Sequence, residues 1–283
     1  MQGAGTAEKP LLPTTWDEFL ESIQVVDAYV SLPNNAIWDM NEINPDGLNE
    51  EIEIKAAEIR GNNTTIKNLY FNQFGCFTAS RSADITEIHK LNILNFYTSA
   101  VRDEYLGIIE SGDKPIHFKN SEWSGVVSSG VFVQGHINNF RFTHDGEKSC
   151  ALTLEFNGTG DMVGGSMISD GNGLRFQHCN IELSGTSTVD NWNLSQYPYF
   201  EYCWIRGKSP FKTFTGNGVS TIYDIEIPED VTMENCDSTC VVNVDKVKGN
   251  IVNKSNDTPI IQTTTAQLKS PAYLQNAGFN IIV

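Results

Sequence analysis

The chain has 283 residues, 40% of them hydrophobic, and its 19 Lys+Arg against 35 Asp+Glu give a formal net charge of −16. That is enough apolar content for a core and too much for a disordered chain. The charge argues against nucleic acid and against an anionic membrane surface as partners, because both need clustered Lys and Arg. Its plainest use is solubility.

In chain order, the first element is a helix. Thr14 or Thr15 can cap it, Asp17 and Glu18 fall in its first turn, and Trp16, Phe19, Leu20 and Ile23 share one face. Ala28-Tyr-Val-Ser-Leu-Pro33 then reads as a strand ending at proline. From there the period is two. Glu51-Ile-Glu-Ile-Lys55 alternates strictly, and Ile59-Arg-Gly-Asn-Asn-Thr-Thr-Ile66 reads as strand, turn and strand. No later segment has the length and 3.6-residue period of a second long helix.

Apolar–polar alternations that run into Asn or Cys recur along the chain. Anchored on Asn95, Asn120, Asn139, Asn157, Cys179 and Cys203, they lie 25, 19, 18, 22 and 24 residues apart, a mean of 21.6. The gap of 33 residues from Cys203 to Cys236 implies an extra loop of about ten residues. A 20–25-residue period with short strands is a solenoid signature. Leucine-rich repeats and WD-type propellers lack their motifs here, so the expected fold is all-β, a single-stranded parallel β-helix with a short N-terminal capping helix. Apolar residues point into a narrow core, and the 27 asparagines supply turns and stacked amide ladders. The expected organisation is an arm and capping helix over residues 1–27, the β-helix over 28–255, and a segment 256–283 that caps the solenoid or contacts a partner subunit.

Ile59-Arg-Gly61-Asn-Asn-Thr-Thr-Ile66-Lys-Asn68 resembles an early coil of right-handed parallel β-helix proteins of the pectate-lyase-like superfamily, where an I-x-G-N-G-x-T-I turn recurs. Phe176-Gln-His-Cys179-Asn-Ile181-Glu-Leu-Ser-Gly185 and Phe200-Glu-Tyr-Cys203-Trp-Ile205-Arg-Gly207 resemble its F-x-N-C-x-I-x-G coil. The Trp16-Asp-Glu-Phe19-Leu helix and Tyr29-Val-Ser-Leu-Pro33 resemble the elements that cap such solenoids. The resemblance covers residues 14–255. It implies a fold shared by lyases, hydrolases, phage tailspikes and non-catalytic virion proteins, so function has to come from a site.

The Asn-Thr-Asp, double Asp, His-Gly and Arg-x-Lys of polygalacturonase-like hydrolases do not occur in order. Asp145, Asp161 and Asp170 lie beside or near glycine, where Asp is an ordinary turn residue; Asp190 and Asp224 complete the candidate carboxylates. Asp145 and Asp170 are 25 residues apart and Asp190 follows 20 later, so one register would line all three along one face as candidate catalytic carboxylates of a groove. Trp192 sits in the loop Asp190-Asn-Trp-Asn-Leu194 and is the candidate for an exposed ligand contact; Trp123 and Trp204 occupy repeat positions and read as core. The five histidines His89, His117, His136, His144 and His178 include no pair three to five apart, which excludes HExxH-type metal binding. The six cysteines include no CxxC and read as reduced thiols, so no metal and no cofactor is expected.

Two functions follow. The first is a non-enzymatic bacteriophage virion structural protein, a tail appendage, adsorption or capsid-decoration subunit. No basic, apolar leader opens the sequence, so the expected location is the virion, reached from the host cytoplasm without a signal peptide. Its partners are other virion proteins and further copies of itself, a trimer by analogy with phage spikes. The second is a polysaccharide-degrading enzyme, a glycoside hydrolase or lyase acting on a bacterial surface polysaccharide.

Overall fold

The structure is a computed structural model that describes residues 1–79, 85–99, 107–111, 115–128, 131–135, 140–143, 152–157, 166–169, 175–186, 199–210, 213–216, 218–235, 239–254 and 260–276. Helix α1 (Trp16–Ile23) forms as the sequence predicts: Thr15 is its N-cap and accepts a hydrogen bond from the Glu18 amide. Trp16, Phe19 and Ile23 are buried on one face. Strands β1 (Tyr29–Ser31) and β2 (Ile37–Asp39) follow, and every strand pairing between named strands is parallel.

The described strands wind into a parallel β-solenoid with three faces. On the first face Tyr29 pairs with Glu58, Glu58 with Glu87, Glu87 with His117, His117 with Arg141, Arg141 with Arg175 and Arg175 with Tyr199. The second face begins at β2 and ends at the strand Ile261–Thr263. The third runs through Glu51–Ile54, Cys76–Ala79, Gly107–Ser111, Val131–Gly135 and Ser166–Ser169. A separate ladder of Thr213–Gly216, Thr232–Asn235 and Asn250–Asn253 pairs in the same parallel sense.

Alternation fills the lumen. Val30, Ile59, Ile88, Phe118, Phe142, Phe176 and Phe200 form one inward column in exact register pairs, and all are buried. Phe118 stacks on Phe142 with ring centroids 6.0 Å apart, and Phe176 on Phe200 at 5.5 Å. On the second face Trp38, Ile66, Ile93, Trp123, Leu152, Ile181, Ile205, Tyr223 and Val242 form the matching inward column. Parallel strands buried against such a lumen are stabilised mainly by apolar burial, about 25 cal/mol per Å².

The corner between these two faces needs a left-handed residue. Lys90, Asn120, His178, Tyr202 and Ser220 fill it, with φ between 52° and 55°. A second left-handed corner at Asn68 and Asn95 carries the expected amide ladder. Asn95 Nδ2 donates to Asn68 Oδ1, and Asn68 Nδ2 donates to Asp39 Oδ1 at 2.7 Å. Gly207 sits at φ 91°, and a Cβ there would lie 2.1 Å from the Leu183 carbonyl oxygen.

Two readings of the repeat are corrected. Asn95 lies at the second corner and Asn120 at the first, so the anchor residues mix columns and the period of 21.6 is too short. The register gives coils of 29, 29, 30, 24, 34 and 24 residues across the pairs above. After Cys203 there is no ten-residue insertion. Trp204 pairs with Ile222, which sets Cys203 level with Thr221, and Thr221 pairs with Cys240, so two short coils fill the gap and Thr takes the cysteine position in one of them.

At the C-terminal end the helices Thr265–Leu268 and Pro271–Asn276 lie on the outside of the second face. Leu268 packs there on Ile222 and Val241, with Trp204 and Tyr273 beside them. Trp204 is therefore corrected from lumen to outer wall, because its neighbour Ile205 takes the inward position. Trp123 is in the lumen, 1% exposed. Among the described residues no helix is long and apolar enough to cross a membrane.

Candidate functional site

The candidate site is the outer wall of the first face. Side chains that alternate with the inward Ile and Phe column point to solvent in two files. One file is Tyr29, Glu58, Glu87, His117, Arg141 and Arg175; the other is Ser31, Arg60, His89, Lys119, Thr143, Gln177 and Glu201. Successive members stand one strand spacing, about 4.8 Å, apart.

Glu87 is the hub. Its Oε1 lies 2.7 Å from Lys119 Nζ and 4.0 Å from His117 Nδ1, and its Oε2 lies 3.2 Å from His89 Nε2. The Lys119 ammonium bonded to it holds the Glu87 carboxyl below the usual carboxylate range. His117 is pushed below its ordinary value by burial first, then by the Arg141 guanidinium on the next coil. At the far end Arg175 Nη1 is 3.8 Å from Glu201 Oε1, and Gln177 donates to Glu201. At the near end Arg60 Nε and Glu58 Oε1 are 2.6 Å apart. Charges of opposite sign thus meet within a coil or across adjacent coils.

This wall was not visible as a motif. Glu87, His117 and Arg141 are 24 to 30 residues apart, and only the strand register brings them together. The signal that marks them is a polar residue flanked by inward apolar ones, as in Ile116-His-Phe-Lys119, and Arg141 precedes the inward Phe142 in the same way.

The candidate carboxylates Asp145, Asp161, Asp170 and Asp190, the candidate contact Trp192, and His136 and His144 lie outside the described residues. Asp224 is described; it pairs with Lys246 at 2.8 Å and accepts from Asn243 Nδ2 at 2.7 Å. Cys76, Cys179, Cys203 and Cys240 are buried thiols. Among the described residues no group of three His, Cys, Asp or Glu side chains could hold a metal ion. A small apolar void within the lumen, lined by Phe19, Ile66, Phe77 and Trp123 among others, suits packing rather than a polar ligand.

Compared with protein-family models, curated proteins and solved structures, the chain matches none significantly. The fold itself is a parallel β-solenoid.

Proposed function

We propose that the protein is a non-enzymatic structural subunit of a virion, a tail-appendage, adsorption or decoration component of a bacteriophage, with a rigid β-solenoid body. The reading rests on the state of the first-face wall. A hydrolase of the glycosidase type needs one carboxyl kept protonated at working pH. Here Lys119 moves Glu87 in the opposite direction, below the usual carboxylate range. Asp39 moves the same way under Asn68 and Lys67. A wall of ionised, mutually paired groups on stacked coils gives stiffness and solubility, which is what a displayed structural element needs. The similarity of the Phe176–Gly185 and Phe200–Gly207 coils to the pectate-lyase-like superfamily, which includes virion proteins, supplies the assembly class.

The test is co-purification. Particles purified from an infected culture should carry the protein at a fixed copy number per particle. Its recovery only as free protein, with none in particles, overturns the reading. So does release of reducing ends or unsaturated products from a panel of bacterial surface glycans by the purified protein.

A further inference from the structure

The two ends of the solenoid differ in a way that fits them to each other. At the N-terminal end the first face gains an extra rung: Leu11 bridges Val30 in parallel, its amide donating to Tyr29 O at 2.8 Å and its carbonyl accepting from the Ser31 amide at 2.8 Å. Helix α1 covers the lumen beside it, with Phe19 against Trp38 at 5.7 Å. Among the described residues the second face gains no such rung, strand β2 pairs only with the coil behind it, and Ile37 is 66% exposed. At this end the second face is a step down.

At the C-terminal end the relation is reversed. Among the described residues the first face stops at Thr239 and the separate ladder at Asn250–Asn253. The second face continues for one more rung, Ile261–Thr263, which pairs only with Thr239–Asn243 behind it. Ile261 is 37% exposed. At this end the second face is a step up.

Ile37 and Ile261 belong to one outward column. Each directly precedes the inward column that runs from Trp38 to Val242 and on to Gln262. A second copy set on the axis would therefore place its Ile37 over Ile261 as the next member of that column, in the same parallel sense. The charges agree. Residues 1–46 carry eight Asp or Glu and one Lys, whereas residues 244–276 carry four Lys and two Asp in a chain of net charge −16. Lys248 and Lys269 are exposed at that basic end.

We propose that the open edge of β2 is a docking site for a second copy of this chain, whose strand Ile261–Thr263 adds to it in parallel. The contact is heterologous, head to tail, so each molecule keeps one free head and one free tail and the chain of copies can grow. The proposal deepens the structural-subunit reading and rests on it for its biological sense. Its own test needs no particle.

Sedimentation velocity of the full chain over a concentration series provides that test. Wild type should form dimers and longer species as concentration rises, and added salt should weaken them. Ile37→Lys puts a cation against the basic tail and Ile261→Glu puts an anion against the acidic head, so the first blocks heads, the second blocks tails, and each variant alone stays monomeric. Mixed in equal amounts they should form dimers and nothing larger, because one good head and one good tail remain. Ile37→Arg and Ile261→Asp replace them if either variant loses the wild-type circular dichroism. A monomeric wild type at its highest soluble concentration overturns the proposal. So does a variant that self-associates like wild type, or a mixture that stays monomeric. Self-association without particle incorporation removes only the virion reading; particle incorporation of a monomer removes only the head-to-tail contact.

Discussion

Cys203 lies one coil beyond Cys179 at the same inward corner, and each thiol donates to a carbonyl of the preceding coil: Cys203 Sγ to Phe176 O at 3.2 Å, and Cys179 Sγ to Phe142 O at 3.5 Å. Thr221 Oγ1 takes the same role towards Phe200 O at 3.1 Å, and Thr64 Oγ1 towards Pro33 O at 2.6 Å. At these four positions a small side chain with a donor serves, whether thiol or hydroxyl; Leu91, paired with Thr64, fills the same column without a donor. Cys203→Thr should therefore cost less than about 1 kcal/mol, whereas Cys203→Ala, which removes volume and donor together, should cost about 1–2 kcal/mol. Urea unfolding midpoints measure both. Four of the six thiols are buried, so a thiol reagent should titrate at most two in the native protein and six after denaturation.

The phenylalanine column sets the largest single cost. Phe142 is fully buried, stacks on Phe118 and meets Phe176 at a tilt in the neighbouring coils. Phe142→Ala should destabilise by about 3–5 kcal/mol, because strands tied to both neighbouring coils cannot collapse into the gap. Phe142→Leu should retain most of the stability. Equal unfolding midpoints for the two variants would show that the column is not packed as described.

Much of this fold was legible because its rules are local. The α1 face, the alternation in Glu51–Ile54 and the Gly61-Asn-Asn corner each depend on a few adjacent residues. Register is not local. Loops of unequal length separate the coils, so Asn95 and Asn120 look equivalent in sequence yet stand at different corners. Thr221 hides a coil because the corner accepts any small donor, and a search for cysteines passes over it. The first-face wall was illegible for the same reason, since Glu87, His117 and Arg141 meet only after the coils are counted correctly. Trp204 misled because its repeat position is shared with Asn180, an outward residue, and only the C-terminal helices make that outward position apolar.

The amide ladder separates backbone geometry from hydrogen bonding at one residue. Asn68 has φ 60° and both donates to Asp39 and accepts from Asn95. Asn68→Gly keeps the left-handed corner and loses the ladder; Asn68→Ala loses both. The alanine variant should be less stable than the glycine variant by about 1 kcal/mol, the usual cost of a left-handed backbone for a residue with a Cβ. Thermal unfolding of the pair measures that difference, and identical midpoints would assign the asparagine to the ladder alone.

The pH dependence of stability should carry two phases from the first-face wall, both acid-sensitive. His117 has a folded pKa below its ordinary value of 6.5, so below pH 6.5 the unfolded chain takes up a proton that the folded chain resists. Its contribution is present above 6.5 and is lost as the pH falls from there to the folded value. Glu87 also has a lowered folded pKa, relative to an ordinary 4.5. Its contribution is present above 4.5 and is lost as the pH falls through the folded value. Both side chains are partly exposed, so solvent screening keeps each phase small, within the range of about 0–1 kcal/mol typical of surface pairs. His117→Gln should flatten the urea midpoint just below pH 6.5 and leave the lower phase intact. Glu87→Gln should shrink the lower phase to what Asp39 still contributes and steepen the upper one, because the Glu87 charge partly offsets the pull of burial and Arg141 on His117. A His117→Gln variant that follows the wild-type curve between pH 6.5 and 5 would show that the imidazole is not held neutral by burial beside Arg141, and that the wall draws its pH response from elsewhere.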